Sequence, residues 1–436
     1  MKVVSVQSQV DQLLATNAEV RKLFELASQI VQRLQANGHE AYFVGGAVRD
    51  ILLGRGFTEI DITTSAEPSH VRRLFRKTLP LGEAFGVIAV MRRGIPFEVA
   101  TFRSETGYSD GRHPDEVTIG TLEEDVLRRD FTVNGLVLDP ARGIVLDMVG
   151  GIADLERKLL RAIGDPVARM NEDFLRTVRA VRFAACLDID LEPATREAVR
   201  GAASGLEHIS RERIHAELSK ISLSRAVPRG LRLVGECGLA PQIFGPTIRD
   251  EHMELAANLI EALPESPGVP EMLAATILAA EGRGLSGAVV GKGGESRARV
   301  ECERLRLSNS ERRRLAEILS LLGVLESLPD RRLGERAESY RLGGFTVALR
   351  LEKAWRQQHN EDVGFLDDMW LELHVIGAER LAGLSPVTGR DLMQLGFPSG
   401  PEMGATIKEL SYLFVEGKIV SRAEAMRWLE SRLKGA

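Results

Sequence analysis

The sequence predicts an α+β protein: a mixed sheet with helices over residues 1–150, then helices alone. Short apolar runs of strand length, punctuated by glycine, crowd the first third of the chain. From Ile152 onward the apolar spacing becomes helical and stays so to the end. The 436 residues allow about three domains of ~150 residues each, and we divide the chain at 1–150, 151–225 and 226–436. An apolar fraction of 44% excludes a disordered chain. No apolar run reaches the ~20 residues needed to cross a bilayer. The N-terminus (MKVVSVQSQVDQLL) has neither a long apolar stretch nor a small-residue cleavage site, so a cytoplasmic protein with no membrane partner is expected. Cys186, Cys237 and Cys302 lie far apart and form no CxxC pair, which points away from a disulfide framework or a zinc site. A net charge of −5 does not advertise a nucleic-acid partner, yet local basic clusters can still contact phosphates.

In chain order, residues 18–37 carry Leu23, Leu26, Ile30, Val31 and Leu34 at helical spacing, closed by Gly38. Tyr42-Phe43-Val44 then suits a buried strand, and Gly45-Gly46 leads into a short helix bearing Arg49 and Asp50. A Gly-Gly turn feeding a helix lets backbone N–H groups approach a phosphate. A second strand pattern ends in Glu59-Ile60-Asp61, with both acids on one face, and two such carboxylates can hold the Mg²⁺ that accompanies a phosphate. Thr64-Ser65 is a candidate N-cap for a helix over 68–77. Residues 86–102 read as a hairpin turning at Arg92-Arg93-Gly94; Glu98 in its second strand is either solvated or a third site carboxylate. Residues 103–120 are Gly-, Asp- and Ser-rich with little periodicity, a connector or a functional lid, and His113 in it lacks metal partners. A helix around Leu122–Leu127 leads into Arg128-Arg129-Asp130, and residues 135–147 read as a hairpin turning at Pro140–Gly143.

Over 166–187, Phe174, Val178, Val181 and Ala185 form one buried helical stripe. Asp173, Arg176, Arg179 and Arg182 recur every three residues beside it. Taken alone they read as a salt-bridged face, with Asp173 and Arg176 an i, i+3 pair. Ser210 is a candidate N-cap for the helix that follows, and His208 and His215 lack a third ligand. Arg312–Arg314 and Arg331–Arg332 are basic clusters on further helices.

Tyr42–Thr64, with its strand, Gly-Gly, Arg-Asp and acid-x-acid in order, resembles the first motif of the class II tRNA nucleotidyltransferase and bacterial poly(A) polymerase family. These enzymes belong to the polymerase-beta-like nucleotidyltransferases. Arg128–Asn134 (RRDFTVN) resembles the family's RRDFTIN, and Glu172–Phe183 (EDFLRTVRAVRF) resembles EDPLRMLRAVRF. Glu212–Leu218 matches ERIxxEL, a motif held to be structural, and residues 386–404 resemble a tail-domain motif. Glu59 stands where the family usually has Asp, Phe174 where it has Pro, and Thr177-Val178 where it has Met-Leu. No His-Asp dipeptide marks an added phosphohydrolase domain.

The resemblance implies a polymerase-beta-like head (1–150), a helical neck that reads the base (151–225), and an elongated helical body and tail that bind tRNA (226–436). The implied reaction is template-independent addition of CCA to the tRNA 3′ end from CTP and ATP, with contacts to the acceptor stem and no protein partner. Glu59 and Asp61, with Glu98 as a third candidate, would hold two Mg²⁺ ions and carry catalysis. Gly45, Gly46 and Arg49 would cradle the triphosphate; Arg129, Asp130 and Asn134 would address the ribose. Arg179 and Arg182 would reach the triphosphate or support the base-reading pair. That pair is Asp173 with Arg176. Cytosine and adenine each offer an amino donor beside a ring-nitrogen acceptor, so a carboxylate and a guanidinium accept both. Uracil and guanine present a carbonyl to the carboxylate, a mismatch of roughly 1–3 kcal/mol or more.

Within the family, CC-adding, A-adding and poly(A)-adding enzymes share these motifs. The implied flexible loop at 103–120, which resets the site between CTP and ATP, argues against a CC-only enzyme. Gly82–Gly86 lacks the Gly-Arg-Arg-Phe associated with bacterial poly(A) polymerases. A reading of another class, a non-catalytic RNA-binding relative, rests only on Glu59.

Overall fold

The computed structural model describes residues 1–82, 86–108, 115–264, 267–282, 292–381 and 387–434. Its strands are β1 (Lys2–Ser5), β2 (Ala41–Val44), β3 (Asp61–Thr64), β4 (Thr78–Gly82), β5 (Val87–Arg92), β6 (Ile95–Thr101), β7 (Arg103–Thr106), β8 (Glu116–Ile119), β9 (Val137–Asp139), β10 (Ile144–Asp147), β11 (Leu159–Leu160) and β12 (Asp190–Leu191). Eight of them form one sheet in the order β1-β10-β9-β2-β3-β6-β5-β4. Every neighbouring pair in it is antiparallel except β3 and β6. β2 lies inside the sheet, which is why its AYFV sequence is nearly continuous apolar surface.

Helices α1 (Gln7–Thr16) and α2 (Ala18–Gln35) precede β2. Asn17 caps α2 by accepting from the backbone N–H groups of Glu19 and Val20, each at 3.1 Å. The buried stripe of α2 covers the sheet, with Phe24 meeting Phe43 of β2 edge to face at 5.4 Å. The expected helix and strand are therefore present, whereas β1, α1 and the edge strand β4 were not anticipated.

Several expectations are corrected. The acid-x-acid segment does not end a strand: β3 begins at Asp61, and Glu59 lies in the irregular approach to it. Thr64 and Ser65 do not cap a helix. Thr64 closes β3, its hydroxyl donating to the Glu40 carbonyl at 2.6 Å, and the Ser65 hydroxyl accepts from the Glu40 N–H at 2.9 Å. Helix α4 (Pro68–Leu74), which follows α3 (Gly46–Leu52), starts at the expected residue with proline in its first turn but ends at Leu74, short of 77. Residues 103–120 contain a hairpin, β7 pairing with β8 from Arg103↔Ile119 to Thr106↔Glu116. Its tip, residues 109–114 with His113, lies outside the described residues, as do 83–85 of the Gly82–Gly86 segment. The 86–102 hairpin is as expected, turning at Arg93 and Gly94 with φ of 47° and 84°.

After α5 (Leu122–Leu127) and α6 (Gly151–Glu156), residues 166–187 form two helices rather than one, α7 (Pro166–Glu172) and α8 (Leu175–Leu187). Asp173 is extended between them, at φ −146° and ψ 105°. Nor is everything beyond Ile152 helical, since β11 and β12 pair in parallel. Helices α9 (Pro193–Gly201) and α10 (Arg211–Leu223) follow.

Two compact units result, Met1–Glu217 with Glu236–Ile243, and Leu218–Gly235 with Phe244–Ala436. The second is helical throughout its described residues, with a separate small core at Val387, Leu392, Leu410, Ile419, Ala425 and Leu429. No disulfide joins Cys186, Cys237 and Cys302. Among the described residues no helix is long and apolar enough to cross a membrane.

Candidate functional site

Register brings the expected carboxylates together. β3 and β6 pair Ile62 with Val99, so Asp61 and Glu98 begin that register side by side, on the face opposite the buried Ile62 and Val99. Burial, Glu59 and Glu98 together push the Asp61 carboxyl up to about 6, and Arg129 opposes them. Across β2 the register pairs Val44 with Asp61, which sets the following turn against the same carboxylate. Gly45 has φ +73°, and a Cβ on it would lie 3.4 Å from Asp61 Oδ2 and 3.8 Å from Arg129 Nη1. The glycine turn, the acid and the arginine thus share one small space. Helix α3 after the turn has only seven residues, a short element on which to seat an anion.

Asp125 is a residue the sequence reading passed over. Fully buried in α5, it accepts from the Thr63 hydroxyl at 3.2 Å, from Arg129 at 3.1 Å and from both Nε (3.0 Å) and Nη2 of Arg128. Burial alone would raise its pKa; Arg129 and Arg128 outweigh that and hold it low. It therefore anchors both arginines as anion and orients Arg129 toward Asp61. Its sequence signal was its place three and four residues before Arg128 and Arg129 on a helix. Arg129 Nε is buried with no acceptor among the described residues, an open donor.

No group of three or more His, Cys, Asp or Glu side chains among the described residues is gathered to hold a metal ion. The donor chemistry of Glu59, Asp61 and Glu98 nonetheless fits a hard divalent cation. Oxygen ligands suit one, and the raised Asp61 pKa reports carboxylate repulsion that such a charge would relieve.

Arg49 and the Arg128–Asn134 segment meet behind this cluster. Arg49 donates to Asp50 (2.9 Å) and to Asn134 Oδ1 (2.7 Å). Asn134 Nδ2 donates to Asp130 Oδ1 at 3.1 Å, which also accepts from the Phe131 N–H at 2.8 Å. Asp130 Oδ2 accepts from both Nε (2.9 Å) and Nη2 of Arg179. These four bonds fill the acceptor capacity of one carboxylate, leaving no open position for the ribose hydroxyl expected there. Asp130 instead fixes Arg179. Burial would raise its pKa, but Arg179 and Asn134 bring it down to about 2. Arg179 and Arg182 also pair with Glu217, the former at 3.9 Å.

The Asp130–Arg179 pair carries stability that is present above the ordinary carboxylate pKa near 3.8 and lost as pH falls through about 2. Asp130→Asn is accordingly expected to lower unfolding free energy at pH 7 by about 2–3 kcal/mol. In denaturant titrations that deficit should narrow as pH drops below about 4.

The residues expected to read the base are placed differently from a simple salt-bridged face. Asp173 does not pair with Arg176. It receives Arg213 of α10 through Nη2 at 2.8 Å and Nη1 at 3.4 Å, and it accepts from the Leu175 N–H at 3.1 Å. Arg176 donates to Glu172, to the Arg169 carbonyl at 2.9 Å and to the Arg128 carbonyl at 3.1 Å. Arg169 ties the same Glu172 (2.8 Å) to the Leu127 carbonyl (2.8 Å). Both side chains are half-buried and keep open positions: Asp173 one lone pair on Oδ2, Arg176 its Nε–H and one Nη2–H. Arg213 and Glu172 are thus the partners of the two candidate residues. Arg213 lies in the segment read as structural, and no acid near it in sequence pointed to Asp173.

Comparison with known proteins identifies the family. Residues 41–161 match the poly A polymerase head domain family, and residues 289–429 match a family described as tRNA nucleotidyltransferase domain 2. The CCA-adding enzyme of Levilactobacillus brevis is 34% identical over 404 residues, covering 92% of this chain and 96% of the relative. That of a Geobacillus species is 32% identical over 424 residues, covering 95% and 98%. The solved Bacillus stearothermophilus CCA-adding enzyme in complex with CTP superposes with a TM-score of 0.69 at 30% identity, covering 94% of this chain and 98% of that one. The Thermotoga maritima CCA-adding enzyme complexed with tRNA shares the fold, with a TM-score of 0.70 at 20% identity. Identity at this level over nearly the whole of both chains establishes that the protein belongs to the tRNA nucleotidyltransferase family of CCA-adding enzymes.

Proposed function

We propose that this chain completes the 3′ end of tRNA, adding CMP, CMP and AMP from CTP and ATP with release of pyrophosphate. The observation that carries the reading is the continuity of the site. One bonded network runs from Arg49 through Asn134 and Asp130 to Arg179, between the carboxylates beside Gly45 and the helix that follows Asp173. In this reading residues 1–150 act as the catalytic head, 151–225 as the neck that reads the base, and 226–436 as body and tail holding tRNA. A cytoplasmic site of action follows from that substrate.

Glu59 and Asp61, with Glu98 beside them, would hold two Mg²⁺ ions, which when bound supply charge neutralisation at the leaving pyrophosphate and acidify the primer 3′-hydroxyl. The protein's own groups bind and orient. Gly45 and Gly46 keep side-chain bulk away from the triphosphate, and Arg49, Arg129, Arg179 and Arg182 supply N–H donors to it. Before nucleotide binds, Asn134 and Asp130 hold Arg49 and Arg179 on the ribose side of the site. Arg213 orients Asp173 to accept from the amino group of C or A, while Arg176 donates to the adjacent ring nitrogen.

The test offers tRNA transcripts ending before CCA, after C and after CC, with each labelled NTP and Mg²⁺. Incorporation of C, C and then A is expected; none on any end would sink the enzyme reading and leave a non-catalytic RNA-binding relative. CMP alone, AMP only on the CC end, or unlimited AMP would each select a narrower member of the family. Glu59→Asp is expected to leave the rate within about twofold of the parent or improve it, since both acids are oxygen donors to Mg²⁺. A clear loss in the same assay would show that Glu59 is placed for its extra methylene.

A further inference from the structure

The aromatic ring of Phe183 stands where three site arginines converge, and neither the motif reading nor the mechanism gives it a part. Phe183 is 7% exposed on α8 and packs edge to face on the buried Phe131, ring centroids 5.8 Å apart. The guanidinium carbon of Arg182 lies 3.8 Å from its ring centroid, that of Arg179 5.3 Å and that of Arg49 5.5 Å. Two of these cations belong to the same helix as the ring; the third comes from α3. Three guanidinium groups about one ring repel one another, and the negative face of the ring offsets part of that repulsion.

Each arginine also has a carboxylate partner: Asp50 for Arg49, Asp130 for Arg179, and Glu217 for Arg179 and Arg182. Carboxylates and phosphates compete for the same in-plane N–H donors of a guanidinium. A ring does not, because it attracts the cation without using those hydrogen bonds. We propose that Phe183 is a positioning residue for nucleotide binding, holding Arg49, Arg179 and Arg182 in place while their N–H groups pass from protein carboxylates to the triphosphate. The proposal rests on the reading that these arginines address the nucleotide.

The experiment replaces Phe183 in the full chain with mono-, di- and trifluorophenylalanine, which keep the ring's shape while draining its negative face. CTP and ATP affinities are measured with Mg²⁺ and without tRNA. Affinity for both nucleotides should fall with each added fluorine while the thermal midpoint and the turnover at saturating nucleotide hold steady. Phe183→Leu should weaken both by about tenfold, the order of one desolvated cation–π contact. Affinity that stays flat across the fluorine series, or a fall in turnover without a fall in affinity, would overturn the proposal. Arg182→Ala separates the two levels of the argument. If it weakens nucleotide binding and the fluorine series does not, Phe183 alone has been misread. If Arg182→Ala leaves binding unchanged, the nucleotide reading of the arginines fails and the proposal falls with it.

Discussion

Asp61→Ala is expected to reduce nucleotidyl transfer by at least about 10³-fold, because several kcal/mol of charge stabilisation at the reacting phosphate depend on it. Glu98 cannot stand in. It is exposed on the neighbouring strand, whereas Asp61 is the acid facing both Gly45 and Arg129. Incorporation of labelled CMP into tRNA ending before CCA measures the loss; activity within tenfold of the parent would remove Asp61 from the site. The same residue is expected to cost the fold something. Its carboxyl, raised to about 6 from 3.8, binds its proton more tightly in the folded than in the unfolded state. Stability is therefore greatest where Asp61 is protonated and declines as pH rises from about 4 through about 6. Asp61→Asn, neutral and of the same shape, should raise the thermal midpoint at pH 7 in the absence of divalent metal and not at pH 4. A gain of stability with a loss of activity is the signature of a charge kept for function.

Asp173→Ala is expected to degrade nucleotide choice more than rate. Without the carboxylate, the carbonyl of uracil or guanine no longer meets an acceptor, and discrimination should fall by roughly 1–3 kcal/mol, about fivefold to about 150-fold. Misincorporation of UMP and GMP, set against CMP and AMP on the same tRNA end, measures it. Arg213→Ala should reproduce part of the effect, since Arg213 is the side chain that orients Asp173 through two hydrogen bonds. Unchanged UTP and GTP exclusion in both variants would place base selection elsewhere.

Much of this site is local, and local features were legible. Gly45 follows an apolar strand because the turn needs a positive φ. The buried stripe of Val178, Val181 and Ala185 shows in helical spacing. Glu98 alternates against Phe97 and Val99 as a strand residue must. Where local rules misled, the backbone had left the assumed element. The i, i+3 pairing of Asp173 with Arg176 presupposes one helix, and Asp173 is extended between two. Thr64 resembled a helix cap and is the last residue of a strand, bonded to a carbonyl 24 residues earlier.

The sequence alone determined which groups are on offer: the acids Glu59 and Asp61, the arginine-rich segments, and the order in which the glycine turn, the Arg128–Asn134 segment and the helix after Asp173 occur. These are fixed by residue type and near-neighbour geometry. Only the tertiary structure decided which group holds which. Arg49 and Asn134 are separated by 85 positions, Arg179 and Asp130 by 49, and Arg213 and Asp173 by 40. Such pairs form where packing brings a buried charge within reach of an opposite charge or a polar acceptor, because a buried charge left unpaired is too costly to keep. The ring of Phe183 among three guanidinium groups is decided the same way, by what the folded chain encloses.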